Sequence, residues 1–193
     1  MTLNIYTIKH PLILTWTSNL RQPGLYGKRR YDLLTKIHVQ LVYELLRHEL
    51  NADKLYIKNL DKLEEFHIIN TNILSIICPD MKLHVLFRKT VEEFSNTILF
   101  SELVLYKDND QWKIITTEDQ VTDWQKPVKF TIVEEKLITD RILAVLTHLT
   151  SKKQRTTNQV INICCATCSH QELDMLAKQY KNINVYTANL TDA

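Results

Sequence analysis

Between Lys129 and Leu149 the spacing of the apolar residues changes period within a few positions, and that change limits the fold more than any other stretch. Phe130, Ile132 and Val133 form a short β-prone run. Leu137, Ile142, Leu143, Val145, Leu146 and Leu149 then recur at helical spacing, which predicts a strand, a tight loop and a helix. In open α/β sheets ligands bind outside the carboxyl ends of the strands, and the first free N–H groups of the following helix attract an anion. This is where a phosphate site is to be sought.

The rest of the chain repeats the alternation. Residues 3 to 8 read as a short extended segment and Leu14, Trp16 and Leu20 as a brief amphipathic stretch, broken by Pro23, Gly24 and Gly27. Leu33, Leu34, Ile37, Leu41, Leu45 and Leu46 mark one long helix over Tyr31 to Leu50. β-prone runs follow at 55–57 and 66–69, and the continuous apolar run from Ile73 to Cys78 reads as a buried parallel strand. A helix is expected over Leu83 to Phe94. A hairpin arm is expected from Ile98–Tyr106 and Trp112–Ile115 about an Asn109-Asp110 turn, with 116–127 looping back. Beyond Leu149 come a polar connector at 151–158, a strand at 160–165, a helix at 171–180 and a last strand at 183–187. Such alternation predicts right-handed βαβ units and a mainly parallel sheet in a single domain over 1–193.

Composition narrows the chemistry. The chain has two glycines, Gly24 and Gly27, both in one early loop, so a glycine-cradled phosphate site is excluded from residue 28 onwards. Net charge is +2 with acids and bases interspersed, which gives no nucleic-acid surface; the Lys28-Arg29-Arg30 cluster reads as a solvated loop. No window approaches the roughly 18 apolar residues of a membrane span, and no signal peptide is expected ahead of the fold. Cys78, Cys164, Cys165 and Cys168 fall at apolar or strand-like positions, as in a reducing compartment. Abundant Asn, Lys, Ile and Thr beside scarce Gly and Ala fit an A+T-rich coding genome, such as a plastid's.

Several strings, in order, resemble uracil phosphoribosyltransferase, a type I phosphoribosyltransferase. His10-Pro11-Leu12-Ile13 is similar to the family's N-terminal HPL motif. Tyr31 to Arg47, with Tyr43-Glu44, is similar to its first long helix, Leu105-Tyr106-Lys107-Asp108 to its LYRD segment, and Val185-Tyr186-Thr187-Ala188 to its closing strand. The resemblance runs almost end to end and implies an α/β, type I phosphoribosyltransferase-like fold: a mainly parallel sheet flanked by helices, with a β-hairpin arm.

The same resemblance implies that the chemistry is lost. The family's phosphoribosyl pyrophosphate loop reads V-D-P-M-L-A-T-G-G-[ST], and here Val133 to Ile142 stands in its place. Glu134 keeps the acid that the family sets near the ribose hydroxyls and Thr139 is kept, but Asp140 and Arg141 replace both glycines. Asp140 puts a carboxylate where the 5′-phosphate would sit, and like charges a few ångströms apart in a half-buried pocket repel by several kcal/mol. Asp140 in the first helical turn and Thr139 as N-cap suit a self-capped helix, with Arg141 on the surface. The family's pyrophosphate loop P-I-L-R-A-G-L matches Pro79 to Val85, so its arginine becomes Lys82 and its glycine His84; lysine lacks the bidentate guanidinium contact. The family's C-terminal uracil-recognition segment has no counterpart before Thr191-Asp192-Ala193.

Other constellations have plain readings. The C-x-x-C of Cys165 and Cys168 has no second pair and only His170 nearby, so a closed metal site lacks ligands and half-buried thiols are expected. The histidines are scattered without H-E-x-x-H, and adjacent Glu92-Glu93 point apart. Trp112, on the hairpin arm, is a candidate interface anchor. The expectation is a non-catalytic phosphoribosyltransferase-like protein, with no cofactor and no metal. It would act through protein partners as a structural, linker or regulatory subunit of a larger plastid assembly, in the chloroplast stroma or on the thylakoid surface. Homodimerisation is implied by family analogy. A divergent active enzyme, or a pseudoenzyme sensing a nucleotide or anion, stand as alternatives.

Overall fold

The computed structural model describes residues 3–49, 52–60, 62–69, 73–93, 98–109, 111–118, 128–152 and 160–192. Its elements run β1 (Leu3–Thr7), α1 (Pro11–Leu20), α2 (Lys28–Glu49), β2 (Ala52–Asn59), β3 (Lys62–Ile69), β4 (Ile73–Ile77), α3 (Met81–Glu92), β5 (Ile98–Asp108), β6 (Gln111–Glu118), β7 (Val128–Lys136), α4 (Thr139–Lys152), β8 (Ile161–Ser169), α5 (His170–Gln179) and β9 (Ile183–Thr191). A seven-stranded sheet has the order β1-β9-β8-β7-β4-β5-β6. All its neighbours are parallel except β6, which returns antiparallel along β5. The expected α/β architecture, with its antiparallel hairpin, is the one formed.

Strand alternation divides the core in two. Val133, Cys164 and Ala166 turn to one face, where Ile13, Leu34, Leu41, Leu45, Leu83 and Phe87 of α1, α2 and α3 cover them. Ile132, Ile163 and Cys165 turn to the other, under Ile142, Leu146, Leu173 and Leu176 of α4 and α5. β4 is buried on both sides, as its unbroken apolar run requires. From β4 the chain first builds outwards through β5 and β6. It then returns to β7 on the other flank and continues through β8 and β9. The carboxyl ends of β4 and β7 therefore flank the point where strand order reverses, the usual crevice of such sheets.

Several boundaries move. α2 starts at Lys28, so Lys28, Arg29 and Arg30 form its first turn rather than a solvated loop. α3 starts two residues early because the Asp80 carboxylate accepts from the Lys82 and Leu83 N–H groups. β8 runs to Ser169, which places Cys168 within a strand rather than at a strand-to-helix turn. β2 and β3 form a separate two-stranded ribbon. The connector at 153–158, the loop at 119–127 and Trp124 lie outside the described residues.

Candidate functional site at the carboxyl ends of β4 and β7

β7 ends at Lys136 and α4 begins at Thr139. The Leu137 N–H donates to the Thr167 carbonyl at 3.0 Å, and the Ile142 N–H donates to the Ile138 carbonyl at 3.0 Å. Ile138 thus supplies the first carbonyl of the helix, and Thr139 is its first helical residue, not its N-cap. The Thr139 side chain is engaged elsewhere: its hydroxyl donates to the Glu172 carbonyl at 2.9 Å and lies 2.5 Å from Glu172 Oε2. The same Oε2 accepts the Thr139 N–H at 2.6 Å. A carboxylate from α5 therefore occupies the amino end of α4, satisfying one free donor and meeting the positive end of the helix dipole. Asp140, expected to serve that purpose, is exposed.

Sequence reasoning missed Glu172. Ser169-His170-Gln171-Glu172 has the form of a capping box, in which the glutamate returns to its own N-cap. Ser169 does accept the Glu172 N–H at 3.3 Å, but the Glu172 carboxylate turns across to α4. A local pattern gives no sign of this, because Glu172 meets Thr139 only when β7 and β8 lie side by side.

The acids of β7 are both paired. Glu134 is buried, and its Oε1 lies 3.1 Å from Arg141 Nε at an angle too oblique for a hydrogen bond. Burial pushes the Glu134 carboxyl up to about 7; Arg141 works against that shift, while Asp80 and Glu135 add to it. Arg141 also lies beneath Trp112 of β6, its guanidinium carbon 5.4 Å from the ring centroid. It has both a buried anion and an aromatic face, not the surface role its position suggested, and Trp112 has an intramolecular partner. Glu135 pairs with Arg30, which reaches over from the first turn of α2. Behind this group His38 is fully buried, Nδ1 2.7 Å from the Leu34 carbonyl and Nε2 2.8 Å from the Glu134 carbonyl. Burial lowers its pKa, against the upward pull of those two carbonyls.

After β4, Pro79 is buried and Asp80 spends its carboxylate on the amino end of α3, with the Tyr31 hydroxyl 3.5 Å away. The Lys82 ammonium lies 5.9 Å from the Tyr31 ring centroid. His84 does not face the crevice: it is buried edge-on to Phe100, ring centroids 5.8 Å apart. The structure thus gathers Glu134, Thr139, Arg141, Asp80 and Lys82 about one crevice with Arg30, Tyr31 and Glu135, and leaves His84 in the core and Asp140 in solvent.

Two further features lie apart from the crevice. An open groove of about 590 Å³ runs along the junction of β6 and α4, lined by Tyr106, Trp112, Ile114, Ala144 and His148 among others. All four cysteines are reduced and buried, and Cys165 and Cys168 turn to the same core face, where each thiol interacts with the other and with Thr187. Among the described residues no cluster of three His, Cys, Asp or Glu side chains is placed to hold a metal, and no helix is long and apolar enough to cross a membrane.

No protein-family model matches the chain, and no curated protein matches it by sequence. Among solved structures it is similar to the AQ2163 protein of Aquifex aeolicus, at 14% identity over 96% of this chain and 86% of that one, with a TM-score of 0.75. It is also similar, at lower scores, to two phosphoribosyltransferases. The hypoxanthine phosphoribosyltransferase of Trypanosoma cruzi aligns at 8% identity over 86% of this chain and 75% of that one, TM-score 0.48. The purine phosphoribosyltransferase of Pyrococcus horikoshii aligns at 14% identity over 82% of this chain and 87% of that one, TM-score 0.42. Identities this low speak of fold alone, and the fold shared with AQ2163 is α/β, with a mainly parallel sheet flanked by helices.

Proposed function

We propose that this chain is a non-catalytic relative of uracil phosphoribosyltransferase that acts through protein contacts, as a structural, linker or regulatory subunit of a larger assembly. One observation carries the reading: the amino end of α4, where a 5′-phosphate would bind, already holds the Glu172 carboxylate. A phosphate arriving there has to displace a charge-assisted bond and then sit beside a fixed negative charge, at a cost of several kcal/mol. The surrounding charges support it. Arg141 is committed to Glu134 and Trp112, Arg30 to Glu135, and Asp80 to α3, so among the described residues the two guanidiniums at the crevice are already paired. The organelle-like composition makes a plastid assembly, photosynthetic or at the thylakoid surface, the specific form of the proposal.

Isothermal titration calorimetry with phosphoribosyl pyrophosphate and magnesium tests the loss of chemistry. No binding heat is expected, and saturable binding in the micromolar to millimolar range would return the chain to the enzymes. The subunit role is tested by the size and companions of the protein in a native extract. Recovery of the chain without any other protein would refute it.

A further inference from the structure

A row of amides crosses three neighbouring strands in register: Asn4 of β1, Asn184 of β9 and Asn162 of β8. Asn4 Nδ2 donates to Asn184 Oδ1 at 2.9 Å, and Asn184 Nδ2 donates to Asn162 Oδ1 at 3.0 Å. Asn4 and Asn184 both donate towards the centre of the sheet, so the Asn4 Oδ1 and its second N–H are not used within the row. That edge is open. Four of its five residues are exposed, Ile5 and Tyr6 among them, and its sequence Leu-Asn-Ile-Tyr-Thr has no charge, proline or bulge. The opposite edge of the sheet is guarded: β6 carries Lys113, and its pairing with β5 is interrupted by a register shift. Natural sheets blunt exposed edges with such devices, and a bare edge accepts another strand.

The backbone shows what kind of strand fits. The Ile8 N–H donates to the Thr187 carbonyl at 2.9 Å. By alternation the backbone groups of Tyr6 and Asn4 also face β9, while those of Leu3, Ile5 and Thr7 face away from the sheet.

We propose that β1 pairs with β1 of a second copy of this chain, antiparallel about a two-fold axis at Asn4. In that register Leu3 and the partner's Ile5 stand opposite each other and exchange both backbone bonds, as do Ile5 and the partner's Leu3. Asn4 falls at the intervening position, where facing side chains approach most closely. Each Asn4 amide has one N–H and one oxygen to give to the partner's Asn4, so the two amide rows join into one. Apolar side chains meet apolar ones on the other face. Moving the axis to Ile5 sets Asn4 against the partner's Tyr6 and Leu3 against the partner's Thr7, and both matches are lost. The pairing makes one continuous sheet of two copies and does not depend on the function proposed above.

Sedimentation of the full chain from about 1 to about 200 μM, the range suited to an interface smaller than standard, reads the equilibrium. The mass is expected to rise with concentration from 22.7 kDa towards twice that value. Ile5→Lys, which places a lysine on the edge, should weaken association by about tenfold or more at unchanged melting temperature. Asn4→Cys should give an intermolecular disulfide on mild oxidation and Thr7→Cys should not, the native thiols being buried. A monomer throughout, a dimer indifferent to Ile5→Lys, or equal cross-linking at positions 4 and 7 would each overturn the proposal. A dimer that also binds phosphoribosyl pyrophosphate would refute the proposed function and leave this inference standing.

Discussion

Glu172 and Glu134 are carboxylates whose positions near α4 have opposite consequences. Glu172 gains from its place: its carboxylate accepts the Thr139 backbone N–H at the positive end of a helix. Glu172→Ala leaves the Thr139 N–H without that acceptor and should cost about 1–2 kcal/mol in urea unfolding, whereas Asp140→Ala, at an exposed position, should cost about 0.5 kcal/mol or less. Equal losses would show that Asp140 shares the cap. Glu134 is held where its charge is disfavoured. Its folded pKa, about 7, lies above the 4.5 of the free group, so the native state binds its proton more tightly than the unfolded chain does. The stability linked to that proton is complete below about pH 4.5 and is lost as pH rises through 7, roughly 3 kcal/mol in total. Glu134→Gln carries no such proton. Its stability relative to the parent should improve by about 2–3 kcal/mol between pH 5 and pH 8, and a pH-independent difference would mean that Arg141 holds the carboxyl ionised throughout.

The elements differ in how much holds them. β4 and β7 are central strands with helices on both faces, while β2 and β3 pair with each other and with no strand of the main sheet. In the ribbon Leu55 stands opposite Phe66 and shares its face with Ile57, and these three are each more than two-fifths exposed. The other face carries Lys54, Glu65 and His67 in contact. Two strands alone are marginal in water. Amide hydrogen exchange should therefore be fast along 52–69 and slowest in β4, β7 and β8, with protection factors differing by about a thousandfold or more. Comparable protection in the ribbon would mean that something covers its apolar face in solution. The sequence marked both ribbon strands as β-prone but assigned the protruding arm to 98–115. That hairpin is instead an edge of the main sheet, because β5 has β4 to pair with and α4 packs against β6.

For the molecule as a whole, the layered α/β order was legible because it rests on periodicity: buried central strands need unbroken apolar runs and covering helices need one apolar stripe. The strand-to-helix turn after β7 was legible as well, whereas the reversal of strand order beside it is a property of the assembled sheet. The absence of glycine at Asp140 and Arg141 was readable too, as it depends on residue identity and not on neighbours. Tertiary structure decided which charge answers which. Arg30 and Glu135, Arg141 and Glu134, and Thr139 and Glu172 are brought together from different elements; the first and last of these pairs stand 105 and 33 residues apart. Ion pairs have no sequence period, because any acid within reach neutralises a base and reach is fixed only after the sheet is assembled. The sequence by itself determined that a helix would begin beside the crevice without glycines; only the folded sheet decided that Glu172 would be the anion held there.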